Sequence, residues 1–450
     1  MNLKEINSVY LIGIGGIGMS ALARYFNAQG MSVSGYDRTA TSLTDELVVE
    51  GIQISLHDNL EAIPSINNDF SLVIYTPAIP QDSIILNYFK NNGYDLYKRS
   101  EVLGFITESS YTIGVAGTHG KTTTSSIVAH ILTESKVGCN AFLGGIATNY
   151  NTNLLIDDNS RNTVVEADEF DRSFLTLVPN IAIVTSTDAD HLDIYGGHSE
   201  LLESFQLYVN KINPKGTLIL RAGLDLKFGN TLTYGIDTEA DYNAHNLCVD
   251  KGNYKFDVQT PNGLYSDVVI GLPGRHNIEN ALAAIAVAEL MGVSKEKIIA
   301  GLASFQGVKR RFEKIIDTKD LVYIDDYAHH PKELEMCISS IKELYPNRKV
   351  TGIFQPHLFT RTRDFADEFA KSLSLLNELM LLDIYPAREL PIDGINSEML
   401  LAKVNLDTKE IVSKSNVVER LETRELDVLL TLGAGDIDTI VQPIKKAFSV

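Results

Sequence analysis

Short apolar runs alternate with amphipathic stretches along the first hundred residues. The runs Val9–Ile12, Ser32–Gly35 and Leu72–Tyr75 are typical of buried strands, whereas Met19–Gln29 and Ser42–Glu50 have the spacing of amphipathic helices. A chain that alternates strands with helices in this way forms βαβ units. The pattern therefore predicts an α/β fold with a mostly parallel sheet.

The same alternation starts again near Tyr111 and a third time after Arg310-Arg311. Further buried strands are predicted at Ile113–Val115, Thr163–Val165, Ile181–Val184, Thr217–Leu220, Leu321–Ile324, Val350–Phe354, Leu379–Leu382 and Val428–Leu432. The alanine-rich segment Asn280–Leu290 is predicted to be a helix. With a length of 450 residues, the pattern predicts three domains, at 1–107, 108–310 and 311–450.

Composition and charge narrow the possible partners. The chain is 44% hydrophobic with a net charge of −19, which argues against a nucleic-acid partner because phosphate backbones are bound by dense basic patches. We find no run of ~18 apolar residues and no signal peptide at Met1–Ile6, so we expect a cytoplasmic protein without a membrane partner. Cys139, Cys248 and Cys337 lack metal or disulfide spacing and are expected to be small buried hydrophobic residues.

A glycine-rich loop follows the first predicted strand. Gly13, Gly15 and Gly18 fit the pattern G-x-G-x-x-G, with Gly16 as a further glycine, and a helix follows. Such a loop lets a diphosphate approach the backbone at the positive end of the helix, and Asp37 could accept a bond from a ribose hydroxyl. NAD is one ligand that fits, other nucleotide diphosphates fit equally, and a tight turn that binds nothing remains an alternative.

A second glycine-containing loop lies between a predicted strand and a predicted helix. Its sequence is Gly117-Thr118-His119-Gly120-Lys121-Thr122-Thr123-Thr124. Its backbone N–H groups would bind phosphate oxygens, Lys121 would reach the β- and γ-phosphates, and the Thr122 hydroxyl would ligate Mg²⁺. The full phosphate-loop pattern has an earlier glycine where Val115 stands. The remaining G-K-T still favours a phosphate site.

Two acidic segments follow two other predicted strands. Glu166 ends the strand Thr163–Val165, and His191 lies in the acidic segment after Ile181–Val184. Mg²⁺ prefers hard oxygen ligands at such strand ends, which favours Glu166, whereas imidazole is an uncommon Mg²⁺ ligand. Acids that cap helices or face water are the alternative.

Taken together, these motifs resemble those of the muramyl ligases over essentially the whole chain. The matching segments, in order, are Gly13–Gly18, Gly117–Thr124, Glu166–Asp171, Asp188–Gly196, Gly274–Asn277, Asp326–Pro331 and Gln355–Asp364. The resemblance implies a Rossmann-like N-terminal domain, a central P-loop ATPase-like α/β domain and a C-terminal Rossmann-like α/β domain. It implies an ATP-dependent ligase that joins L-alanine to UDP-N-acetylmuramate.

The resemblance also implies a role for individual residues. The first domain would hold the UDP part of the substrate at Gly13–Gly18 and Asp37, in place of NAD. The central domain would bind ATP through Gly117–Thr123 and Asn280, with Mg²⁺ on Thr122, Glu166 and His191. In the third domain, Arg311 and Asp326 would close over the nucleotide. The residues expected to receive L-alanine are Tyr327, His357 and Arg361, with His329 beside them.

Acyl-phosphate chemistry needs positioning and charge neutralisation and no protein nucleophile. Lys121, Glu166, His191 and Arg361 are the expected catalytic residues, although Arg361 could equally belong to a solvated helix start beside Asp364. Sister ligases carry a lysine carbamate after the DH segment. Here the first lysine past His191 is Lys211, which agrees with the alanine-adding branch.

Three other function classes stay open from the sequence. A nicotinamide oxidoreductase would use Gly13–Gly18 and leave Gly120-Lys121-Thr122 unexplained. A related ligase of wall recycling would attach a whole peptide to the same sugar. An inactive interaction protein is disfavoured by the intact Lys121, Thr122, Glu166 and His191.

Overall fold

The computed structural model describes residues 3–65, 68–189, 195–250, 253–387 and 389–449. The chain divides into two compact units. The first comprises Met1–His245, Val258–Tyr265 and Glu279–Leu302, and the second comprises Asn246–Asp257, Ser266–Ile278 and Ala303–Val450. The predicted domain boundaries near residues 107 and 310 stay a prediction.

The N-terminal sheet has five parallel strands in the order β3-β2-β1-β4-β5. Its strands are β1 (Ser8–Ile12), β2 (Ser32–Tyr36), β3 (Gln53–Ser55), β4 (Ser71–Tyr75) and β5 (Leu96–Lys98). Its helices are α1 (Ile17–Ala28), α2 (Ser42–Val49), α3 (Ile84–Asn91) and α4 (Arg99–Thr107). The strand order reverses between β1 and β4, and ligands of open α/β sheets bind at the carboxyl ends of the strands at such a point.

The second sheet has ten strands in the order β15-β14-β13-β12-β11-β10-β6-β9-β7-β8. They are β6 (Tyr111–Ala116), β7 (Asn140–Ala147), β8 (Thr152–Leu155), β9 (Asn162–Glu166), β10 (Ile181–Val184), β11 (Thr217–Arg221), β12 (Thr231–Ile236), β13 (Tyr242–Asp250), β14 (Asn253–Thr260) and β15 (Gly263–Val269). The helices are α5 (Lys121–Glu134), α6 (His198–Val209), α7 (Arg275–Leu290) and α8 (Lys295–Ser304). The strands β10, β6 and β9 are parallel neighbours, so the loops that follow them meet at one edge.

The C-terminal sheet has six strands in the order β16-β17-β21-β18-β19-β20, of which β16 is antiparallel to its neighbour. They are β16 (Glu313–Asp317), β17 (Val322–Asp326), β18 (Val350–Phe354), β19 (Glu378–Leu381), β20 (Thr408–Ile411) and β21 (Val428–Leu432). The helices are α9 (Pro331–Leu344), α10 (Phe359–Asp364), α11 (Ala366–Leu373), α12 (Ser397–Lys403), α13 (Val417–Glu422) and α14 (Val441–Phe448).

The predicted α/β fold with largely parallel sheets is confirmed, and each predicted strand overlaps an observed one. The sequence interpretation missed the strands β3, β5, β7, β8, β12 to β16 and β20. Among them, β12 to β15 mix polar and apolar residues and are half-exposed. One cysteine prediction was wrong: Cys139 and Cys337 are buried, but Cys248 is exposed because it lies on the solvent-facing end of β13. Within the described residues, no helix combines the length and apolar character needed to cross a membrane.

A buried polar network joins α1 to the strand β8. The Asn153 amide, fully buried on β8, donates to the Ile17 carbonyl at 2.6 Å and to Ser20 Oγ at 2.9 Å, and it accepts from Arg24 Nη1 at 2.6 Å. Arg24 also pairs with Glu50, at 2.7 Å. Because every member is satisfied, the network can fix the start of α1 against the ten-stranded sheet.

Candidate functional site

The first glycine loop lies at the strand-order reversal of the N-terminal sheet. Gly13 has a φ of 90°, and a Cβ there would lie 2.6 Å from Thr76 Cγ2 in the loop after β4, so both conformation and space require glycine. Gly15 N–H donates to Asp37 Oδ2 at 2.9 Å. Gly16 caps the N-terminus of α1. The structure therefore brings Asp37 to the loop, and its proposed contact with a ribose hydroxyl stays a prediction.

The second glycine loop is held by the segment that follows β10. Thr118 Oγ1 lies 2.8 Å from Ser186 Oγ, and His119 N–H donates to the same Ser186 Oγ at 2.8 Å. Thr185 Oγ1 donates to the Ala116 carbonyl at 3.2 Å. Gly117 has a φ of 134°, and a Cβ there would lie 2.1 Å from Thr185 Oγ1. Neither Thr185 nor Ser186 was singled out from the sequence, since a role in supporting a loop leaves no motif.

Helix α5 starts directly after Gly120, which adopts a left-handed φ of 82° as its N-cap. Lys121, Thr122 and Thr123 form the first turn, where free backbone N–H groups and the helix dipole favour an anion. Thr122 and Thr123 are both buried. The predicted strand–loop–helix context of a phosphate site is therefore present.

Lys121 makes a buried ion pair with Glu169. Its Nζ lies 2.7 Å from Glu169 Oε2 and 3.0 Å from Oε1, and it donates to the Gly117 carbonyl at 2.7 Å. Burial lowers the pKa of Lys121, but the carboxylates of Glu169, Asp168 and Glu166 together outweigh burial, and the net shift of the pKa is upward. Burial raises the pKa of Glu169 to about 7 against the opposing effect of Lys121. The loop lysine is thus charged and held by a carboxylate that was not among the predicted site residues.

Glu166 ends β9 with one carboxylate oxygen pointing into protein. Its Oε2 is buried and has no hydrogen-bond partner within the described residues. A Cβ at Gly144, on the neighbouring strand β7, would lie 2.0 Å from this oxygen. The Glu166 carboxylate therefore occupies the space that a side chain at position 144 would need. An orphaned buried carboxylate oxygen is costly unless a cation binds it, so Glu166 fits the predicted metal role. His191 lies outside the described residues.

Asn280, on α7, packs against the phosphate loop. Its Oδ1 accepts from Thr124 Oγ1 at 3.0 Å, and a Cβ at Gly120 would lie 2.7 Å from it. The position suits the predicted adenine contact, and it equally suits a support of the loop. On the same loop, the Nε2 atom of His119 lies 3.7 Å from Oδ2 of Asp188.

In the second unit, Asp326 ends β17 fully enclosed by protein. Its carboxylate accepts the Phe312 N–H and the Ala328 N–H, each at 2.7 Å. Burial raises the pKa of Asp326 to about 6, against the opposing charge of Arg311. Asp326 therefore holds together the segment that carries Arg311 and the one that carries Tyr327.

A chain of rings extends from Tyr327. The Arg311 guanidinium lies 4.8 Å from the centre of the Tyr327 ring, and His329 contacts the same ring edge-on at 5.3 Å. The centre of the His329 ring lies 5.9 Å from the centre of the His357 ring. The His357 ring stacks on the ring of Tyr385, with 5.8 Å between the ring centres. The structure thus brings His357 to Tyr327 and His329, from which it is distant in sequence, and adds Tyr385, which was not predicted.

The two arginines of α10 point to different surroundings. Arg361 Nη1 lies 3.5 Å from His357 Nδ1, beside the ring chain. Arg363 Nε donates to Asp364 at 2.7 Å, with about half of each side chain exposed. The alternative of a solvated helix start therefore applies to Arg363, whereas Arg361 belongs to the cluster with His357.

Comparison with known proteins identifies the family. The chain matches three family models: "Mur ligase family, catalytic domain" over residues 8–111, "Mur ligase middle domain" over 115–288 and "Mur ligase, glutamate ligase domain" over 310–435. It is 51% identical to UDP-N-acetylmuramate--L-alanine ligase of Cytophaga hutchinsonii, covering 99% of this chain and 97% of that one. It is 53% identical to the protein of the same name in Flavobacterium psychrophilum, covering 99% of both.

The chain belongs to the Mur ligase family.

Solved structures agree with this assignment. A UDP-N-acetylmuramate-alanine ligase from Thermotoga maritima superposes with a TM-score of 0.85 at 27% identity, covering 98% of this chain and 99% of that one. A murein peptide ligase from Psychrobacter arcticus shares the fold, with a TM-score of 0.71 at 23% identity and 98% coverage of both chains. The Rossmann-like terminal sheets and the ATPase-like central sheet are thus those of a Mur ligase, which replaces the nicotinamide oxidoreductase interpretation.

Within this Mur ligase, sequence reasoning missed residues that support others. Glu169 lay inside the acidic motif Glu166–Asp171, but only its burial and its ion pair with Lys121 distinguish it from its neighbours. Tyr385 follows β19 and has no motif that links it to His357. In both cases the signal is a contact between distant segments, which spacing cannot reveal.

Proposed function

We propose that the chain is an ADP-forming ligase that joins L-alanine to the muramate carboxylate of UDP-N-acetylmuramate, in peptidoglycan synthesis. The observation that carries this proposal is the identity of 51% and 53%, over nearly the full length of both chains, to proteins with that name. The ordered phosphate loop with Lys121 and the separate cluster around Arg361 and His357 support it.

ATP is proposed to bind at Gly117–Thr123, with its phosphates on the first turn of α5. Lys121 would then exchange part of its contact with Glu169 for the transferring phosphoryl group. Thr122, Glu166 and His191 would hold Mg²⁺, which supplies a positive charge that neutralises phosphate oxygens when it is bound. The buried, unpartnered Oε2 of Glu166 supports its place in this set.

The reaction needs activation because a carboxylate is a poor acyl donor. The γ-phosphoryl group passes from ATP to a muramate carboxylate oxygen, and ADP is released. The L-alanine amine then attacks the acyl carbon, the bond to the phosphate oxygen breaks, inorganic phosphate leaves, and the nitrogen loses a proton. The proposed catalytic residues position the reactants and neutralise charge, and no covalent enzyme intermediate forms.

L-Alanine is proposed to bind at the cluster of Tyr327, His329, His357 and Arg361. A guanidinium pairs with a carboxylate through two parallel hydrogen bonds, which suits Arg361 for the alanine carboxylate. Arg311 and Asp326 are proposed nucleotide contacts of the C-terminal part. The UDP group is assigned to Gly13, Gly15, Gly16 and Gly18 together with Asp37. Since ATP and UDP-sugars are the proposed substrates, we place the reaction in the cytoplasm.

The proposal is tested by an assay of phosphate release with ATP, Mg²⁺ and UDP-N-acetylmuramate, in which amino acids and a peptide are supplied one at a time. L-Alanine is expected to give equimolar ADP, phosphate and UDP-sugar product. Stoichiometric AMP would contradict the phosphoryl-transfer chemistry. Turnover with a peptide and none with L-alanine would instead assign the recycling activity.

A further inference from the structure

Arg99 is a cation that lies directly against the first glycine loop. It is the first residue of α4, which follows β5, the strand beside β4. A Cβ at Gly18 would lie 2.9 Å from Arg99 Nη1 and 3.0 Å from its Cδ. Gly18, the third glycine of the motif, has an ordinary negative φ, so the space for Arg99 is what requires glycine here.

The guanidinium of Arg99 is held loosely by the protein. Its nearest anion is Asp168, at 3.9 Å between Nη2 and Oδ2, which is too long for a hydrogen bond. Within the described residues, the Arg99 side chain donates no hydrogen bond. The side chain of Arg24 on α1, in contrast, donates to Glu46, Glu50 and Asn153. The Arg99 side chain is 25% exposed. Its fork of N–H donors therefore packs beside Gly18, faces Asp168 without a hydrogen bond, and can bind an anionic ligand.

The glycine loop itself has no side-chain cation. Residues Gly13–Gly18 supply only backbone N–H groups, and the whole chain has a net charge of −19. A diphosphate bound there would need a local positive charge in addition to the helix dipole. Arg99 is at the right loop, with a geometry that matches phosphate oxygens bidentately.

We propose that Arg99 is a further substrate-binding residue, which binds the diphosphate of the UDP-sugar over the Gly13–Gly18 loop. The inference rests on the proposed function and adds a residue to its UDP-sugar site. Asp168 orients the guanidinium from the segment that also carries Glu166 and Glu169, so Arg99 links the UDP-sugar loop to the acidic segment beside the phosphate loop.

The adjacent Lys98 provides a matched control. Its Nζ pairs with Asp171 at 2.8 Å in a neighbouring exposed contact, so Lys98→Met removes the same charge one residue away without touching Gly18. We would measure, by calorimetric titration of the full chain, the binding of UDP, UDP-N-acetylglucosamine, UDP-N-acetylmuramate and a non-hydrolysable ATP analogue. Arg99→Met is expected to weaken all three UDP ligands by about tenfold or more, and the ATP analogue by less than about threefold.

Two additional variants separate binding from folding. Arg99→Lys keeps the charge but loses the fork, and should lie between wild type and Arg99→Met. Gly18→Ala should displace the guanidinium, so it should weaken UDP binding in wild type more than in the Arg99→Met background. An unchanged ATP-analogue affinity confirms that each variant is folded.

Other outcomes would overturn the assignment. Equal losses in Lys98→Met and Arg99→Met would indicate a general charge effect. A loss confined to UDP-N-acetylmuramate would place Arg99 on the muramate carboxylate and not on the diphosphate. If Arg99→Met binds UDP like wild type, Arg99 is not a ligand-binding residue. Failure of wild type to bind any UDP ligand would contradict the proposed function itself.

Discussion

Lys121 Nζ and Glu169 Oε2 lie 2.7 Å apart in a buried ion pair at the phosphate loop. The backbone of Glu169 is held by a hydrogen bond of its own, because the Tyr195 hydroxyl donates to the Glu169 backbone carbonyl at 2.5 Å. A phosphate group that engages Lys121 must compete with this carboxylate. Glu169 therefore sets both the position of Lys121 and its availability.

Glu169→Gln keeps the shape of the side chain and leaves Lys121 as a buried charge without its counter-ion. We expect the free energy of unfolding to fall by roughly 3 kcal/mol, since removing one partner of a buried ion pair is strongly destabilising. An ATP analogue should restore most of this loss by providing the missing negative charge. Urea denaturation with and without the analogue measures both effects.

Asp171→Asn is the control for this prediction. Asp171 pairs with Lys98 at the surface, with 39% of its side chain exposed, and exposed pairs contribute little. Its denaturation midpoint should match that of the wild type. If Glu169→Gln were as stable as Asp171→Asn, the buried pair would not be what holds Lys121.

Glu166→Gln tests the proposed metal site. The amide keeps the size that fits beside Gly144 and loses the charge that a divalent cation requires. We expect the fold to be retained and the Mg²⁺ concentration for half-maximal activity to rise by about tenfold or more. Direct Mn²⁺ titration by paramagnetic resonance gives a readout that is independent of turnover.

Glu134→Gln controls for the loss of one carboxylate near the same helix. Glu134 is exposed at the last turn of α5, away from the Lys121 end. It should titrate with Mn²⁺ like the wild type. Normal Mn²⁺ affinity in Glu166→Gln would remove Glu166 from the metal site.

Asn153→Ala tests whether β8 positions the first glycine loop. The substitution leaves Arg24 Nη1 and the Ile17 carbonyl without their partner, and Ile17 lies inside the loop. We expect the free energy of unfolding to fall by about 2–3 kcal/mol and the affinity for UDP to fall with it. The affinity for an ATP analogue should be unchanged, because the side-chain hydrogen bonds of Asn153 are made to α1.

Asn149→Ala, in the turn before β8, removes the same amide from a half-buried position. This variant should keep the wild-type affinity for UDP. An Asn153→Ala protein that unfolds more easily but binds UDP normally would restrict Asn153 to a structural role.

The most apolar strands and both glycine loops could be predicted because each depends on local residues. Ile181–Val184 is a continuous apolar run and Val350–Phe354 is mostly apolar, and the observed strands have the same bounds. The phosphate loop was recognised in spite of Val115, because Gly120-Lys121-Thr122 between a strand and a helix is enough to place it.

The parts that sequence could not supply depend on contacts between distant segments. The assignment of Arg361 was open until α10 placed it beside His357 and turned Arg363 toward Asp364. Glu169 and Arg99 carry no motif that distinguishes them from exposed charges. Their importance follows from what the fold places against them, Lys121 and Gly18.

The last prediction concerns the pH dependence of stability through His276. This residue lies in the first turn of α7, and the centre of its ring is 6.1 Å from the centre of the Phe312 ring. Its Nδ1 is buried with no hydrogen-bond partner in the part of the chain that the structure describes. Burial lowers the pKa of His276 to about 4, with Glu333 opposing the shift and Arg311 adding to it. Neutral imidazole is therefore the form that fits the folded protein.

The sign follows from linkage. A histidine whose pKa is lower in the folded state contributes stability that is fully present above its unfolded pKa of about 6.5 and is lost as the pH falls toward about 4. A shift of this size corresponds to roughly 3 kcal/mol. His276→Gln cannot titrate, so the difference in unfolding free energy between wild type and this variant should shrink by that amount from pH 7 to pH 4. His57→Gln, at an exposed site, should follow the wild-type profile, and a difference for His276→Gln that stays constant across this range would show that His276 is not the titrating group.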